Sequence, residues 1–195
     1  MKKFLPLIIV IVAILIIGNW GIGVNNTLVE KEGLAEAQWA NVESSYQRRA
    51  DLIPNLVATV KGYAAHEKET LEGVIKARSE ATKTTINASD LTPEKMAQFQ
   101  KAQQGLSGAL SKLLLTVERY PDLKADKSFL ELQSQLEGTE NRINVERNKF
   151  NGLAGNYNIA IKKIPTNFIA SIGGFEGMPL YKSDAGSENA PKVEF

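Results

Sequence analysis

From Phe4 to Val24 the chain carries no charged residue, and Leu5 to Ile17 is almost wholly aliphatic. As a helix rising about 1.5 Å per residue, the run spans roughly 31 Å, the hydrocarbon thickness of a bilayer. Phe4, Leu7, Ile11, Ile14 and Ile17 then face lipid, and Trp20 sits where an interfacial aromatic anchor belongs. A cleaved signal peptide is the rival reading, since the apolar core alone is short enough and Gly21 and Gly23 form a weak small-x-small site. Asn19 and Trp20 make that a poor cleavage region, so the run reads as a retained anchor. Lys2 and Lys3 precede it, while residues 25–44 hold one basic residue, Lys31. The positive-inside rule therefore predicts a cytoplasmic N-terminus with everything after Val24 on the far side.

Beyond the anchor, stations recur at alternating steps of three and four, the seam of a coiled coil or long bundle. From Leu28 they run Glu32, Ala35, Trp39, Val42, Tyr46, Arg49, Ile53, Leu56, Val60 and Tyr63, and on to Ala81. Pro54 interrupts nothing in that count. A proline inside a helix costs on the order of 3 kcal/mol, but a chain that restarted there would have no reason to keep step. One helix kinked at Pro54 is expected; the rival is a break with Asp51 as N-cap. A second helix opens with Thr92 as N-cap and Pro93 at its first position, and runs from Met96 through Phe99, Leu106 and Leu113 to Tyr120. A third begins near Asp126 and runs to Ile164, where Pro165 stops it. The linkers 83–91 and 121–125 are short enough to make neighbours antiparallel.

The predicted fold is all-α: a single N-terminal transmembrane helix, an elongated antiparallel bundle of three long helices, and a short C-terminal helix and tail. The expected divisions are residues 1–24 as anchor, 25–165 as bundle and 166–195 as helix and tail. "NFIASIGGF" predicts a short helix stopped by Gly173 or Gly174, with Phe168, Ile169 and Phe175 free to cap the bundle or a neighbour. From Lys182 the composition is that of a flexible peptide, and the closing "KVEF" reads as a frayed end, with a docking motif ordered by an assembly as the rival.

Chemistry has little to work with. There is no cysteine, which removes disulfides, thiol catalysis and cysteine zinc sites, and His66 is the sole histidine. No metal site, cofactor site or catalytic set is expected. With 23 basic and 22 acidic residues the net charge is +1 and no basic stripe points to nucleic acid. Two charges do fall on the seam, Arg49 and Glu146. A lone buried charge is costly, so the expectation is a polar layer: Arg49, with Arg48 or Asn55, against Glu146, Glu140 or Glu118.

Lengths add a further expectation. A first helix from Leu28 to Ala81 measures about 80 Å, the second about 42 Å and the third about 58 Å. The second would reach back only to the neighbourhood of Pro54, leaving Leu28, Trp39, Val42 and Tyr46 without a partner in the same chain. Uncovered seams seek another surface, which makes these four residues a self-association interface.

At "RRADLIPNLVATVKGYAAHE", "ERYPDLKADKSFLELQSQLEGTENRI" and "FNGLAGNYNIAIKKIP" the chain resembles the LemA family of bacterial membrane proteins, from the anchor to about Phe175. The resemblance implies one N-terminal membrane span followed by an antiparallel bundle of long helices, and no accepted enzymatic activity; with the charge bias, the expected location is the bacterial cytoplasmic membrane with the bundle outside it. It also implies an association with a membrane zinc metalloprotease of the heat-shock type and, through a magnetosome relative, with membrane vesicle formation. The matching positions are Arg48, Arg49, Asp51, Pro54, Asn55, Tyr120, Pro121, Asp122, Glu140, Asn141 and Arg142, read as packing and interface elements. The expected function is non-enzymatic: a membrane-anchored bundle that contacts lipid and self-associates laterally to organise or remodel the membrane. An adaptor for a membrane protease or envelope-stress component is the alternative.

Overall fold

The computed structural model describes residues 5–182, with backbone alone for residues 5 and 6. Phe4 and the closing "KVEF" lie outside the described residues. Helix α1 runs Leu5–Tyr63 without a break, so span and bundle share one helix and Pro54 lies inside it. It is the one described helix long and apolar enough to cross a membrane. Helices α2 (Lys68–Lys83), α3 (Pro93–Val117), the single turn α4 (Pro121–Lys124), α5 (Lys127–Lys162) and α6 (Thr166–Gly173) follow. A 3-10 turn, Ala88–Asp90, lies between α2 and α3. No strand occurs among the described residues, and the architecture is all-α.

Local chemistry sets the starts of α3 and α5. The Thr92 hydroxyl accepts from the Lys95 amide at 3.3 Å with Pro93 in the first turn. Asp126 accepts from the Phe129 amide at 2.9 Å. In each case one otherwise orphaned N–H gains a partner.

The first helix does not continue to Ala81. It stops at Tyr63, residues 64–67 turn, and α2 folds back along α1 so that Arg78 reaches the Ala50 carbonyl. Folding back gives Leu71, Val74 and Ala81 a home in one apolar cluster with Ile53, Leu56, Val60, Leu106 and Leu113. Each leucine or valine fully buried there contributes about 1.5–3 kcal/mol, which a straight rod would forgo. The 3-4 stepping survives because α2 turns the same face toward α1 that a rod would turn toward a stranger. Glu67 secures the corner by accepting from Arg119 at 2.9 Å and from the Tyr120 hydroxyl at 2.8 Å.

This turn changes the length comparison. From Leu28 to Tyr63 α1 is about 54 Å long, and the 36 residues of α5 give the same length. The two helices lie antiparallel along their whole extent, tied at one end by the Tyr63 hydroxyl donating to Asp126 at 3.0 Å. At the other end the Tyr157 hydroxyl donates to Glu32, also at 3.0 Å.

The expected self-association interface is therefore corrected. Leu28, Trp39 and Val42 are at most 1% exposed and Tyr46 is 7% exposed, all within a single chain. Trp39 meets Phe99 of α3 and Phe150 of α5 edge-on at 5.5 and 5.3 Å, and stacks on Tyr181 at 5.8 Å. Its indole N–H donates to the Ile86 carbonyl at 3.0 Å. Three segments that the length argument left out close the seam: the linker through Ile86, the first turns of α3, and the C-terminal strap.

Candidate functional site

Two regions carry what chemistry the molecule has: the end of the bundle beside the span, and a polar layer midway along it. At the first, Leu7, Ile11, Ile14, Ile17 and Trp20 are all exposed on α1. Helix α6 packs beside this boundary. Ile169 Cδ1 comes within 3.4 Å of the place a side chain on Gly21 would start, and Asn25 Oδ1 within 3.5 Å of that place on Gly173. Gly174, at φ +72°, ends α6 in the left-handed conformation that glycine adopts without penalty. A Cβ on Gly173 would fall 2.6 Å from the Phe175 ring, so that ring closes tightly over the helix end. Large apolar side chains stay uncovered here: Phe168 and Ile172 on α6 are 64% and 85% exposed, and Ile164 just before it is 81% exposed. Beside them, Trp20, Leu28, Lys31 and Lys163 line a groove of about 420 Å³. Apolar side chains and two cations thus share the level at which the uncharged run ends.

In the polar layer Arg49 is buried at a point where α1, α3 and α5 meet. Its Nη1 donates to Glu140 Oε2 at 2.8 Å and to Ser107 at 3.0 Å; its Nη2 donates to Gln103 Oε1 at 2.8 Å and to the Gln103 carbonyl at 3.3 Å. The guanidinium also lies 5.1 Å over the Tyr46 ring. A planar fork of donors suits such a crowded set of acceptors, and charge assistance strengthens each bond. Glu146 is buried in a separate contact. Gln38 donates to its carboxylate at 2.7 Å and to its carbonyl at 3.2 Å, and Lys149 approaches at 3.3 Å. The Gln38 bond, aided by Lys149, holds the Glu146 carboxyl below the usual carboxylate range despite burial. Arg48 and Asn55 point to solvent, and Glu118 pairs with Lys124 at the surface. Of the proposed set, only Arg49 and Glu140 touch.

A third feature has no forerunner in the sequence reading. Asn151 and Asn158, seven residues apart on α5, each grip the backbone of the strap that follows α6. Asn158 exchanges two hydrogen bonds of 2.8 Å with Met178, and Asn151 exchanges bonds of 2.8 and 3.0 Å with Tyr181. Seven helical residues and three extended ones both cover about 10 Å, so the registers match. The strap thereby seats Tyr181 on Trp39, and burial pushes its phenol well above its ordinary titration range. Gln38 and Arg78 likewise have no forerunner there, and Gln103, a station on the seam of the second helix, carried no sign that it would meet Arg49.

His66 sits exposed in the turn after α1. No group of three or more His, Asp or Glu side chains among the described residues is placed to hold a metal.

Residues 38–195 match the LemA family. The chain belongs to it. The LemA match begins within α1, beyond the span, and takes in the polar layer, α6 and the strap. Among relatives, the chain is 29% identical to magnetosome protein MamQ of Magnetospirillum gryphiswaldense, over 75% of this chain and 60% of that one. It is 29% identical to MamQ 2 of Paramagnetospirillum magneticum, over 77% and 62%. To protein LemA of Metamycoplasma hominis it is 24% identical, over 87% and 74%. The chain thus spans less than two thirds of the length of the magnetosome relatives it matches.

Proposed function

We propose that this LemA-family chain is a non-enzymatic, single-span membrane protein whose bundle stands on the bilayer and organises the membrane around it. The observation that carries this reading is the apolar face of Ile164, Phe168 and Ile172, held beside residues 21–25 of α1 where the uncharged run ends. Helix α6 acts as a foot in the interfacial region, as short amphipathic helices do. Lys31 and Lys163 lie beside it, where lipid phosphates would meet them. Lys2 and Lys3 put the N-terminus in the cytoplasm and the bundle outside. Lateral association between copies then uses the span and α6, since the seam at Trp39 is closed. The relatives named as magnetosome proteins accord with a membrane role.

The test exploits a chain without cysteine. Nitroxide labels on Phe168→Cys and Ile172→Cys, in full-length protein in anionic vesicles, should report oxygen-rich, water-poor surroundings by power-saturation EPR. A label on Ile75→Cys should report water. Aqueous readings at all three sites would remove the foot and the reading with it.

A second reading, an adaptor for a membrane protease or envelope component, draws on a groove of about 280 Å³ between α3 and α5, lined by Leu56, Leu110, Leu114 and Leu136. Charge placed there with Leu110→Glu should abolish capture of such a protease while leaving the EPR depths unchanged.

A further inference from the structure

A second cleft lies between α3 and α5 beside that apolar groove, bounded by α1 and by the strap, and encloses about 390 Å³. Among the described residues, nothing accepts from several of its buried donors. Arg49 is 2% exposed and uses both terminal nitrogens, yet its Nε has no partner. The Tyr181 hydroxyl, on a residue 6% exposed, makes no well-shaped hydrogen bond among the described residues, and nor does Gln100 Nε2. The Tyr46 hydroxyl is near enough to Tyr181 to affect its titration without forming a well-shaped bond. All of these side chains line the cleft. Buried polar atoms in folded proteins are almost always partnered, so three in one cleft ask for an explanation.

The charges point the same way. Arg147, also lining the cleft, lies 4.5 Å over the Tyr181 ring. It donates one long hydrogen bond of 3.5 Å to the Lys182 carbonyl, and no carboxylate pairs with it among the described residues. Among the described residues the one carboxylate in the lining, Glu140, is already engaged by Arg49 Nη1 at 2.8 Å. Two guanidinium groups against one carboxylate leave the cleft with a surplus of positive charge and of N–H and O–H donors. A cation would meet repulsion there. A neutral ligand would leave the charge unanswered.

We propose that this cleft binds a small ligand through an oxyanion, a carboxylate or a phosphate, received by Arg49 Nε, Gln100 Nε2 and the Tyr181 hydroxyl, with Arg147 at the mouth. Its volume suits a small molecule. The Arg147 guanidinium, which no carboxylate pairs with among the described residues, favours an oxyanion over a halide, because only the former matches its fork geometry. This site is independent of the membrane reading and would stand if the foot failed.

The stack of Trp39 on Tyr181 supplies a reporter. Full-length protein carrying Trp20→Phe, in detergent, is titrated with sodium phosphate and separately with sodium succinate at constant ionic strength. Trp39 emission is followed, with isothermal titration calorimetry beside it. Saturable binding of one or both probes is expected, and which probe binds assigns phosphate or carboxylate. Arg147→Gln should weaken it by about tenfold or more, the loss of one charged hydrogen bond. Tyr181→Phe, which keeps the ring and the stack, should weaken it several-fold, while Lys76→Gln on the exposed face of α2 leaves it unchanged. Circular dichroism checks each fold; if Arg147→Gln unfolds, Tyr181→Phe decides. No saturable binding by either method, or equal affinity in parent and Tyr181→Phe, overturns the proposal.

Discussion

Arg78 donates from Nε to the carbonyl of Ala50 at 2.7 Å, and Ala50 is the residue that Pro54, four positions on, has no N–H to serve. An α-helix with proline inside leaves one carbonyl without its donor. Here that carbonyl belongs to a residue only 3% exposed, and a side chain from α2 supplies what the backbone lacks. The proline therefore opens an acceptor that fastens the returning helix.

That relationship is measurable as a coupling. Arg78→Met keeps the aliphatic stem but leaves the Ala50 carbonyl unmet, for a loss of about 1–3 kcal/mol. In a Pro54→Ala background the backbone N–H returns and the same substitution should cost less. A double-mutant cycle on urea unfolding should give a coupling of about 1 kcal/mol. An identical Arg78 cost in both backgrounds would disprove the link.

Arg49 and Glu140 form one ion pair but should not be equally important. Arg49→Met strips the donor from four acceptors on two helices and should cost about 3 kcal/mol or more, with Arg49→Lys nearly as damaging because lysine lacks the fork. The Glu140 side chain is 46% exposed, so Glu140→Gln should cost about 1 kcal/mol or less. Thermal unfolding followed by circular dichroism ranks the three; equal losses at Arg49 and Glu140 would contradict the asymmetry.

Acid should find Glu146. Its carboxyl is held below the ordinary range, first by Gln38 and then by Lys149. The folded state thus favours the ionised form. That stabilisation is complete above the ordinary glutamate range, near pH 4, and fades as pH falls through it toward the lowered value. Unfolding temperatures between about pH 3 and pH 7 should fall less steeply on the acid side in Glu146→Gln than in the parent. Parallel curves would show that the Gln38 bond does not discriminate between the two forms.

The strap should come away without the bundle. Asn151→Ala and Asn158→Ala each delete two hydrogen bonds, about 1–2 kcal/mol apiece after exchange with water. Together they should make residues 176–182 sensitive to protease and alter Trp39 emission, while helical content stays level. A protected strap in the double variant would mean that Tyr181 packing alone holds it.

Burial of the membrane-proximal seam can be read by thiol chemistry. Val42→Cys should resist maleimide until denaturant is added, whereas Val29→Cys, at a position 52% exposed, should react in the native protein. Rapid labelling at position 42 would reopen the seam as an interface between copies.

Local signals were legible from residues alone. Thr92 with Pro93, Asp126 before its helix, and a glycine after "NFIASI" each act within one turn of where they stand, so no distant contact could overrule them. The uncharged run before Asn25 carried its own length. The 3-4 stepping told which face of each segment is buried and that a charge on it, Arg49, needs company. It could not tell a rod from a hairpin, because Leu71 and Val74 keep the same register whether α2 extends α1 or folds back on it. "AAHE" at 64–67 holds neither proline nor glycine, and Gly62 just before it lies inside α1, so the turn carried only a weak local signal. Which surface Trp39 meets, which acceptors Arg49 finds, and that Asn151 and Asn158 hold a strap were settled only by the tertiary structure. Periodicity is a property of one segment, whereas a partner is a property of two, and the return of α2 decides which two meet.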